Sequence, residues 1–368
     1  MLSHAKENHR GHKGLGFEQQ DASSSAQLEQ VAFDTCQGEP DDSDMLSDEQ
    51  WWQRQQARMR GTDFAAGFSL MEFYHACEQA KAASFRIFTA IYFFAGERRE
   101  GDIQTWLERY CVAAGLALLM VSVDLATDSR WDLEDPQTFS LLYELGTGGW
   151  IDLTFGSPPC ATVSAARFNW WNPGPRPLRH RDCFWSGLPH LSTTEKSRLE
   201  AANNLYVNWL AFAQAVVLCG GFYLHEHPED RGYWPFPSLF ATLEFLEFER
   251  ICAGVSLVQS LRSRFHQCPF GGLVPKGTET SSNFIGLFEA LDGVRCPGVS
   301  SNHTHLGKSS GLNEHGVFNT RRLQSYPSEL CRLFAFHAFE SLRYLKVRNE
   351  GPTGPLNGGG RPTPMVTA

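Results

Sequence analysis

The sequence lacks the features that mark membrane proteins and small secreted proteins. No apolar run approaches the roughly 18 residues that a membrane span needs, and the longest, residues 116–123, has the length of a strand. Residues 1–15 are rich in His and Lys and contain no apolar stretch of the kind found in secretory signals. The ten cysteines have no regular spacing and form no C-x-x-C pair, which favours reduced thiols over a disulfide framework. We therefore expect an intracellular protein with no membrane partner, nuclear if its source is a eukaryote.

The excess of acidic residues is confined to one segment. The chain has 41 acidic and 32 basic residues, but eight of the acids and no Lys or Arg fall within residues 29–49. The 33 acids elsewhere nearly balance the 32 bases. The net charge of −9 therefore does not exclude a nucleic-acid partner.

Composition also divides the chain into regions. Residues 1–62 are polar, acidic and without periodicity, which predicts a disordered segment. Residues 349–368 are dominated by Gly, Pro and Thr, which predicts a disordered tail. Between them we expect a large domain over 63–265, a short recognition-like region over 266–325, and a helix over 326–348 that packs back on the core.

Strand and helix signals alternate through the central part of the chain. Apolar runs typical of buried strands cover residues 85–94, 116–123, 151–155 and 222–225. Helix starts are indicated by capping residues at Asp102, at Asp135 and, within a capping box, at Ser192 and Glu195. This alternation predicts an α/β fold with a doubly wound, mostly parallel sheet.

The predicted strand ends carry residues suited to chemistry. Ligands of open α/β sheets bind beyond the carboxyl ends of the strands. The residues at these ends are Gly96 in a turn, the acid Asp124, the thiol Cys160 and a second acid, Glu226. Each has an ordinary structural alternative, as a turn, a helix cap, a buried thiol or a surface carboxylate. Their order and spacing favour one shared site.

These residues resemble the motifs of the DNA cytosine-C5 methyltransferases. Residues 156–164, Gly-Ser-Pro-Pro-Cys-Ala-Thr-Val-Ser, are similar to that family's Gly-x-Pro-Pro-Cys-x-x-x-Ser nucleophile loop. Phe-Ala-Gly at 94–96 precedes it and Glu-x-Pro at 226–228 follows it, in the family's order. The resemblance is good over residues 85–229 and weak over 265–345, and it extends in particular to the divergent methylase-like modules of mobile-element polyproteins.

The resemblance implies a Rossmann-like fold of the class I, S-adenosylmethionine-dependent methyltransferase type, with residues 63–265 as the catalytic domain. It implies that the cofactor, S-adenosylmethionine, contacts Phe94, Ala95, Gly96, Asp124, Asp132 and Pro158. Asp124 would bind the ribose hydroxyls and Asp132 the adenine amino group.

The resemblance also implies catalytic roles in a DNA (cytosine-5)-methyltransferase. Cys160 would be the nucleophile that adds to C6 of cytosine, Glu226 would contact the N3 edge, and Arg264 would be a further catalytic residue. A free thiol is only slightly ionised at neutral pH, so the site must lower its pKa or remove its proton during attack.

The sequence departs from the family pattern at several points. Residues 97–101, Glu-Arg-Arg-Glu-Gly, lack the family's further glycines, and His227 replaces Asn after the acid. Residues 259–264 only loosely match the family's Gln-x-Arg-x-Arg element, and about forty residues between Phe284 and Tyr326 make a short recognition region. Two alternatives stay open: a degenerate, non-catalytic module that binds cofactor or nucleic acid, and a class I methyltransferase with another substrate.

The segment after Cys160 is basic and aromatic. Residues 167–181 contain four arginines, together with Trp170, Trp171 and His180, and no acid. This pattern predicts a lid whose guanidinium groups meet phosphates and whose rings stack on a displaced base. A solvated loop with packed Trp residues is the alternative. The arginines predicted to bind DNA, with RNA left open, are Arg167, Arg176, Arg179 and Arg181.

Spacing argues against two other chemistries. Six residues separate Cys160 from Arg167, one more than the phosphatase loop allows. The zinc-type ligands Cys296, His303, His305 and His315 have a spacing that fits no common zinc finger. We therefore predict that they are polar loop residues and that the protein holds no metal, with metal binding by these four residues as the alternative.

Overall fold

The computed structural model describes residues 47–60, 68–124, 128–168, 175–305 and 323–350. Most of the two segments predicted to be disordered lies outside these described residues, which form one compact unit from Asp48 onwards. None of the helices in the described ranges combines the length and the apolar character that a membrane crossing requires.

Helices and strands alternate as the sequence predicts. The helices are α1 (Asp48–Arg60), α2 (Leu70–Ala82), α3 (Ile103–Ala113), α4 (Pro136–Thr147), α5 (Thr193–Leu218), α6 (Leu243–Val255), α7 (Leu287–Leu291) and α8 (Ser328–Glu350). The strands are β1 (Ile87–Phe93), β2 (Ala117–Val123), β3 (Leu153–Gly156), β4 (Phe222–Pro228), β5 (Leu261–His266) and β6 (Gly277–Ser282).

Within the described residues the strands form a six-stranded sheet in the order β2-β1-β3-β4-β6-β5. β1 pairs in parallel with β2 on one side and β3 on the other, and β3 pairs in parallel with β4. β6 lies antiparallel between β4 and β5. The predicted fold class is confirmed: the protein is α/β, with a Rossmann-like, mostly parallel, doubly wound sheet. The winding reverses at β1, so the crevice for a ligand lies at the carboxyl ends of β1 and β3.

Both faces of the sheet are covered. Along β1 the side chains alternate, so that Phe88 joins the core under α3 and α8 while Ile91 joins the core under α2 and α5. Trp209 of α5 is fully buried in the core under α2 and α5. Burying each large apolar side chain contributes about 1.5–3 kcal/mol, so these two layers hold the strand ends in place.

The predicted helix starts are confirmed by their caps. The Asp102 carboxylate accepts from Thr105 N at 2.8 Å. The Asp135 carboxylate likewise accepts from the backbone N–H three residues further on, in α4, at 2.8 Å. At α5 the capping box is reciprocal: Glu195 N donates to Ser192 Oγ at 3.3 Å, and Ser192 N donates to the Glu195 carboxylate at 2.9 Å. Each cap contributes about 1 kcal/mol.

Two expectations need correction or extension. The segment predicted to be disordered over 1–62 contains helix α1, because Trp52 is buried against the sheet and the Asp48 carboxylate accepts from Ser84 N at 2.7 Å. β4 runs three residues beyond its predicted end, because β6 pairs with it there. Residues 266–325, predicted as a recognition-like region, therefore supply a strand to the sheet.

Candidate active site

The nucleophile loop lies directly after β3. The strand ends at Gly156, where a Cβ would lie 2.4 Å from the ring of Trp209, so a larger side chain does not fit. The hydroxyl of Tyr206 donates to the carbonyl of Pro159 at 2.8 Å. Because proline fixes φ, this loop presents Cys160 at a defined position, half-buried at the start of a 3₁₀ turn.

The predicted acid lies on the neighbouring strand. Glu226 is on β4, just past the residue that pairs with the end of β3, and it is 6% exposed. Tyr326 Oη donates to Glu226 Oε2 at 2.6 Å. A phenolic hydroxyl has one hydrogen, so in its contact with Ser157 Oγ the serine is the donor. One hydroxyl therefore fixes both the acid and the loop that carries Cys160.

The second carboxylate oxygen of Glu226 has an unusual environment. Oε1 is buried, and among the described residues it has no hydrogen-bond partner. Leaving a buried polar atom unpaired costs about 1–3 kcal/mol, and such atoms call for an explanation such as a water or a ligand. This oxygen is therefore available to a bound group.

The electrostatic setting of Cys160 keeps its thiol neutral. Burial raises the pKa of Cys160, the charge of Glu226 raises it further, and the ammonium of Lys276 lowers it. The net result is a pKa above the ordinary value. The thiol is therefore protonated at neutral pH, and a nucleophilic role requires that its proton leave during attack.

His227 occupies the place where the family resemblance would put Asn. Its ring packs edge-on against Tyr206, with centroids 5.5 Å apart, and is 1% exposed. Burial, Arg179 and Lys276 together lower the pKa of His227 to about 3. Neither ring nitrogen has a hydrogen-bond partner among the described residues. His227 is thus a neutral imidazole beside the site.

Sequence reasoning missed Tyr326 and Lys276. Tyr326 is 100 residues from Glu226 along the chain, so no local pattern connects them. Lys276 Nζ lies 5.9 Å from the centre of the Tyr326 ring and donates to the Leu323 carbonyl at 3.2 Å. Both residues line a cavity of about 190 Å³, and the hydroxyl of Tyr326 connects this lining to Glu226. This cavity is smaller than the roughly 300–1,000 Å³ of sites for drug-sized ligands, so it suits a small group rather than a whole cofactor.

The structure brings together the two predicted halves of the cofactor site. After β1 the chain turns sharply, with φ of 60° at Phe94 and 68° at Gly96. Gly96 N donates to Asp124 Oδ2 at 2.9 Å, and Ala95 N donates to the Val123 carbonyl at 3.2 Å. A Cβ built on Gly96 would meet no atom within 4 Å, so the turn faces open space.

Two other predicted cofactor residues have local structural partners. Asp132 is half-buried, and its Oδ1 accepts from Glu134 N at 2.9 Å in a turn before α4. Pro158 is buried at the base of the nucleophile loop. Their proposed contacts with a cofactor stay predictions.

Arg264 belongs to a hydrogen-bond and ion-pair network around Glu279, not to the contacts of Glu226. Its Nε donates to Glu279 Oε2 at 3.0 Å across the β5–β6 pair. Arg262 is also close to Glu279, which is fully buried. No contact joins Arg264 to Glu226 among the hydrogen bonds and ion pairs of the described residues. A catalytic role for Arg264 stays a prediction.

Two of the predicted nucleic-acid arginines form two-point ion pairs within the protein. Arg176 binds the Glu195 carboxylate at 2.7 and 2.8 Å, and its side chain is 52% exposed. Arg181 binds the Asp230 carboxylate at 2.5 and 2.9 Å, and its side chain is 29% exposed. These pairs fasten the segment after Cys160 to α5 and to the end of β4.

The other two arginines are more enclosed. Arg179 is fully buried against the rings of Phe184 and Tyr206 and donates to Asn203 Oδ1 at 3.0 Å. Burial lowers the pKa of Arg179 to about 10, so it stays charged at neutral pH. Arg167 donates to the Arg176 carbonyl at 2.8 Å. Phosphate binding by these arginines stays a prediction, and Trp170 and Trp171 lie outside the described residues.

A second cluster contains three of the four residues considered as zinc ligands from the sequence. The ligand atoms of Cys296, His303 and His305 lie together, and Cys268 joins them, all within 4.8 Å of one another. His315 lies outside the described residues. Sequence spacing alone predicted no metal here, and the fold changes the ligand set by adding Cys268.

Comparisons with known proteins add little to this geometry. Neither a family model nor a curated protein matches the chain. Among solved structures it is similar to a triple mutant of Spodoptera frugiperda DNMT2, with a TM-score of 0.27 and 12% sequence identity. The match covers 61% of this chain and 56% of that chain. At this TM-score the likeness assigns neither activity nor substrate.

Proposed function

We propose that the protein is an S-adenosylmethionine-dependent methyltransferase that methylates C5 of cytosine in DNA through a covalent Cys160 adduct. One observation carries the proposal. The Tyr326 hydroxyl binds Glu226 and the Ser157 side chain at once, and so holds an acid and a thiol-bearing loop side by side at adjacent strand ends. If the source is eukaryotic, the proposed substrate places the protein in the nucleus.

The proposed reaction needs both groups because C5 of cytosine is a weak nucleophile. When the Cys160 sulfur adds to C6, the thiol proton passes to a water. Negative charge develops toward N3, which takes up a proton from the open oxygen of Glu226 in its carboxylic acid form. C5 would then bond to the methyl group of the cofactor, which would leave as a neutral thioether. A water removes the C5 proton, the C5–C6 double bond re-forms as the C6–S bond breaks, the N3 proton returns to Glu226, and Cys160 leaves as a thiolate that takes up a proton. The cofactor supplies an electrophilic methyl group on a sulfonium.

The residues at the ends of β1 and β2 fit such a cofactor. Open space at Gly96 leaves room for a ligand against the turn, and the Asp124 carboxylate holds that turn by accepting from Gly96 N. We propose that Phe94, Ala95 and Gly96 line the cofactor and that Asp124 binds its ribose. Asp132 and Pro158 complete the proposed set.

The raised pKa of Cys160 is equally compatible with a second candidate function. A protonated thiol suits a non-catalytic module that binds only cofactor or nucleic acid as well as it suits an enzyme that removes the proton during attack. A class I methyltransferase that acts on oxygen or nitrogen would not need Cys160 at all. The adduct separates these functions.

The test is covalent trapping with a random-sequence DNA pool that contains 5-fluorocytosine, in the presence of S-adenosylmethionine. Fluorine replaces the proton to be removed, so the final elimination is blocked and a denaturation-resistant protein–DNA band is expected. Cys160→Ala should abolish the band. Cys183→Ala and Cys219→Ala, at two other half-buried cysteines, should retain it.

The outcomes separate the candidates. Methyl transfer that persists in Cys160→Ala would show another substrate chemistry. Cofactor binding without transfer or adduct, in folded wild-type protein, would favour the binding module. An adduct that maps to another cysteine would refute the assignment of Cys160.

A further inference from the structure

The cluster beyond β5, the edge strand of the sheet, is built from two stretches of the chain, one that follows β5 and one that follows α7. Cys268 begins the turn that follows β5, Cys296 lies in the loop after α7, and His303 and His305 lie on the next turn of that loop. Cys268 is buried, and the other three are half-buried. Four soft or imidazole ligands therefore meet at a place that the proposed methyl transfer does not use.

We propose that Cys268, Cys296, His303 and His305 bind one zinc ion in a closed, structural site. The distances among three of the four ligands match such a site, and the Cys268 sulfur lies within 4.8 Å of the other ligand atoms. With Zn–S of about 2.3 Å and Zn–N of about 2.0–2.1 Å, tetrahedral geometry puts S and N about 3.5 Å apart and two N atoms about 3.3 Å apart. Cys296 Sγ lies 3.5 Å from His303 Nε2 and 3.4 Å from His305 Nε2, and the two Nε2 atoms are 3.1 Å apart.

Hydrogen bonding alone does not explain this triangle. A neutral imidazole nitrogen carries either one hydrogen or one lone pair, directed in the plane of the ring. Each Nε2 here approaches both the other Nε2 and the same sulfur, and one direction cannot serve two partners. A cation between the atoms satisfies all of them together, with both imidazoles neutral and both thiols deprotonated.

The surroundings support the ligand atoms as outer contacts do in metal sites. Gly298 N approaches Cys296 Sγ at 3.4 Å, and Cys296 N donates to His266 Nδ1 at 3.0 Å. Ser300 N donates to the His303 carbonyl at 2.8 Å, and His303 N donates back at 3.2 Å. These bonds fix the loop in the conformation that turns both imidazoles toward the sulfur.

The ligand set selects the metal class and its role. Two thiolates and two imidazoles in tetrahedral arrangement are typical of zinc, and four protein ligands leave no open position for catalysis. The ion would tie the loop over 292–305 to the end of β5. Arg295 in the same loop binds the Glu229 carboxylate at 2.9 Å, three residues after Glu226. The zinc would thus order one border of the candidate active site.

The experiment uses the full chain, expressed with added zinc and purified with a phosphine reductant that leaves metals bound. Elemental analysis of the wild-type protein should give about one zinc per chain. Replacement by Co²⁺ should give the strong visible bands of a tetrahedral site with thiolate ligands. Cys296→Ser and His305→Gln should lower the zinc content at least about tenfold. Cys219→Ser, at a half-buried cysteine outside the cluster, should keep it.

The Co²⁺ spectrum of the wild-type protein does not depend on whether any variant folds. A weak, octahedral-type spectrum together with a wild-type protein free of zinc would overturn the proposal. So would a Cys268–Cys296 disulfide in protein kept under reductant. Loss of zinc in Cys219→Ser equal to that in Cys296→Ser would also overturn it, because the ligands would then be elsewhere.

Discussion

Cys160 and Cys296 are both half-buried thiols in loops, but their neighbours differ in kind. Around Cys160, hydrogen bonds between protein groups position the loop, and the nearest charges are one acid and one ammonium. Around Cys296, two imidazole nitrogens crowd the sulfur and each other. A half-buried thiol near an acid suits a transient bond to substrate, whereas a thiol enclosed by other ligands suits a resident ion.

The sharpest test of this comparison is a pair of serine substitutions with two readouts. We expect Cys160→Ser to lower methyl transfer about a thousandfold or more, because the nucleophile is lost, while its zinc content stays at the wild-type level. We expect Cys296→Ser to lose its zinc. Radiolabelled methyl transfer and elemental analysis measure the two effects. Zinc loss in Cys160→Ser would show that the two cysteines do not act separately.

The second prediction removes the ion rather than a ligand. A strong chelator should destabilise the wild-type protein by several kcal/mol, because binding free energy of a structural metal is folding free energy. For a domain of this size that lowers Tm by roughly 5–10 °C in a calorimetric scan. The same chelator should leave the Tm of Cys296→Ser unchanged, since that variant has no ion to lose. An equal drop in both proteins would mean that the chelator acts elsewhere.

The sequence was sufficient for the elements whose signals are local. The strand before Cys160 and the helix capped by Ser192 were predicted from apolar runs and capping residues, because these depend on neighbours within a few positions. The residues at the ends of the strands could be expected to share an edge, since parallel strands bring their carboxyl ends together. The structure does so for Gly96 and Asp124 and for Cys160 and Glu226.

What the sequence did not indicate depends on contacts between distant segments. Tyr326 reaches Glu226 only because the chain before α8 returns to the sheet. Cys268 joins the histidines only because β5 ends beside the loop after α7. A helix that begins near Trp51 and Trp52 could be suggested but not established from the sequence, because two Trp residues in an acidic segment give no periodic signal until the sheet buries Trp52. Such pairings follow from topology, which local patterns do not contain.

The third prediction concerns Tyr326, a positioning residue for the acid and the nucleophile loop. Tyr326→Phe removes the hydroxyl and leaves buried Glu226 without its donor, which costs about 1–3 kcal/mol. We expect adduct formation to slow by roughly tenfold to a hundredfold, with the Kd for S-adenosylmethionine unchanged. Tyr233→Phe, at an exposed tyrosine, is the matched control. A weaker cofactor affinity with an unchanged adduct rate would contradict the assignment.

The fourth prediction concerns the ammonium that opposes the raised pKa of Cys160. Lys276→Met removes a positive charge that lowers this pKa, so the pKa should rise further. Because the thiolate is the reactive form, the pH profile of Cys160 alkylation should move to higher pH. Mass spectrometry of the modified peptide measures the profile. Lys196→Met, at an exposed lysine on α5, should leave it in place. A shift to lower pH would contradict the electrostatic account.

The smallest expected effect concerns the arginines after Cys160, which differ from both cysteine sites because their charges are already paired. The side chains of Arg176 and Arg181 stay partly exposed while they bind Glu195 and Asp230, so each can still meet a phosphate. The double substitution Arg176→Gln with Arg181→Gln should make the slope of log K against log salt less steep by about two. Each phosphate contact contributes about 0.9 to the slope, because it releases the counterions bound at that phosphate. Fluorescence anisotropy with duplex DNA over a salt series measures the slope.

Arg250→Gln is the control for this double variant, because Arg250 forms a similar exposed pair with Glu247 on α6. An unchanged slope in the double variant would show that these arginines only fasten the loop to the protein.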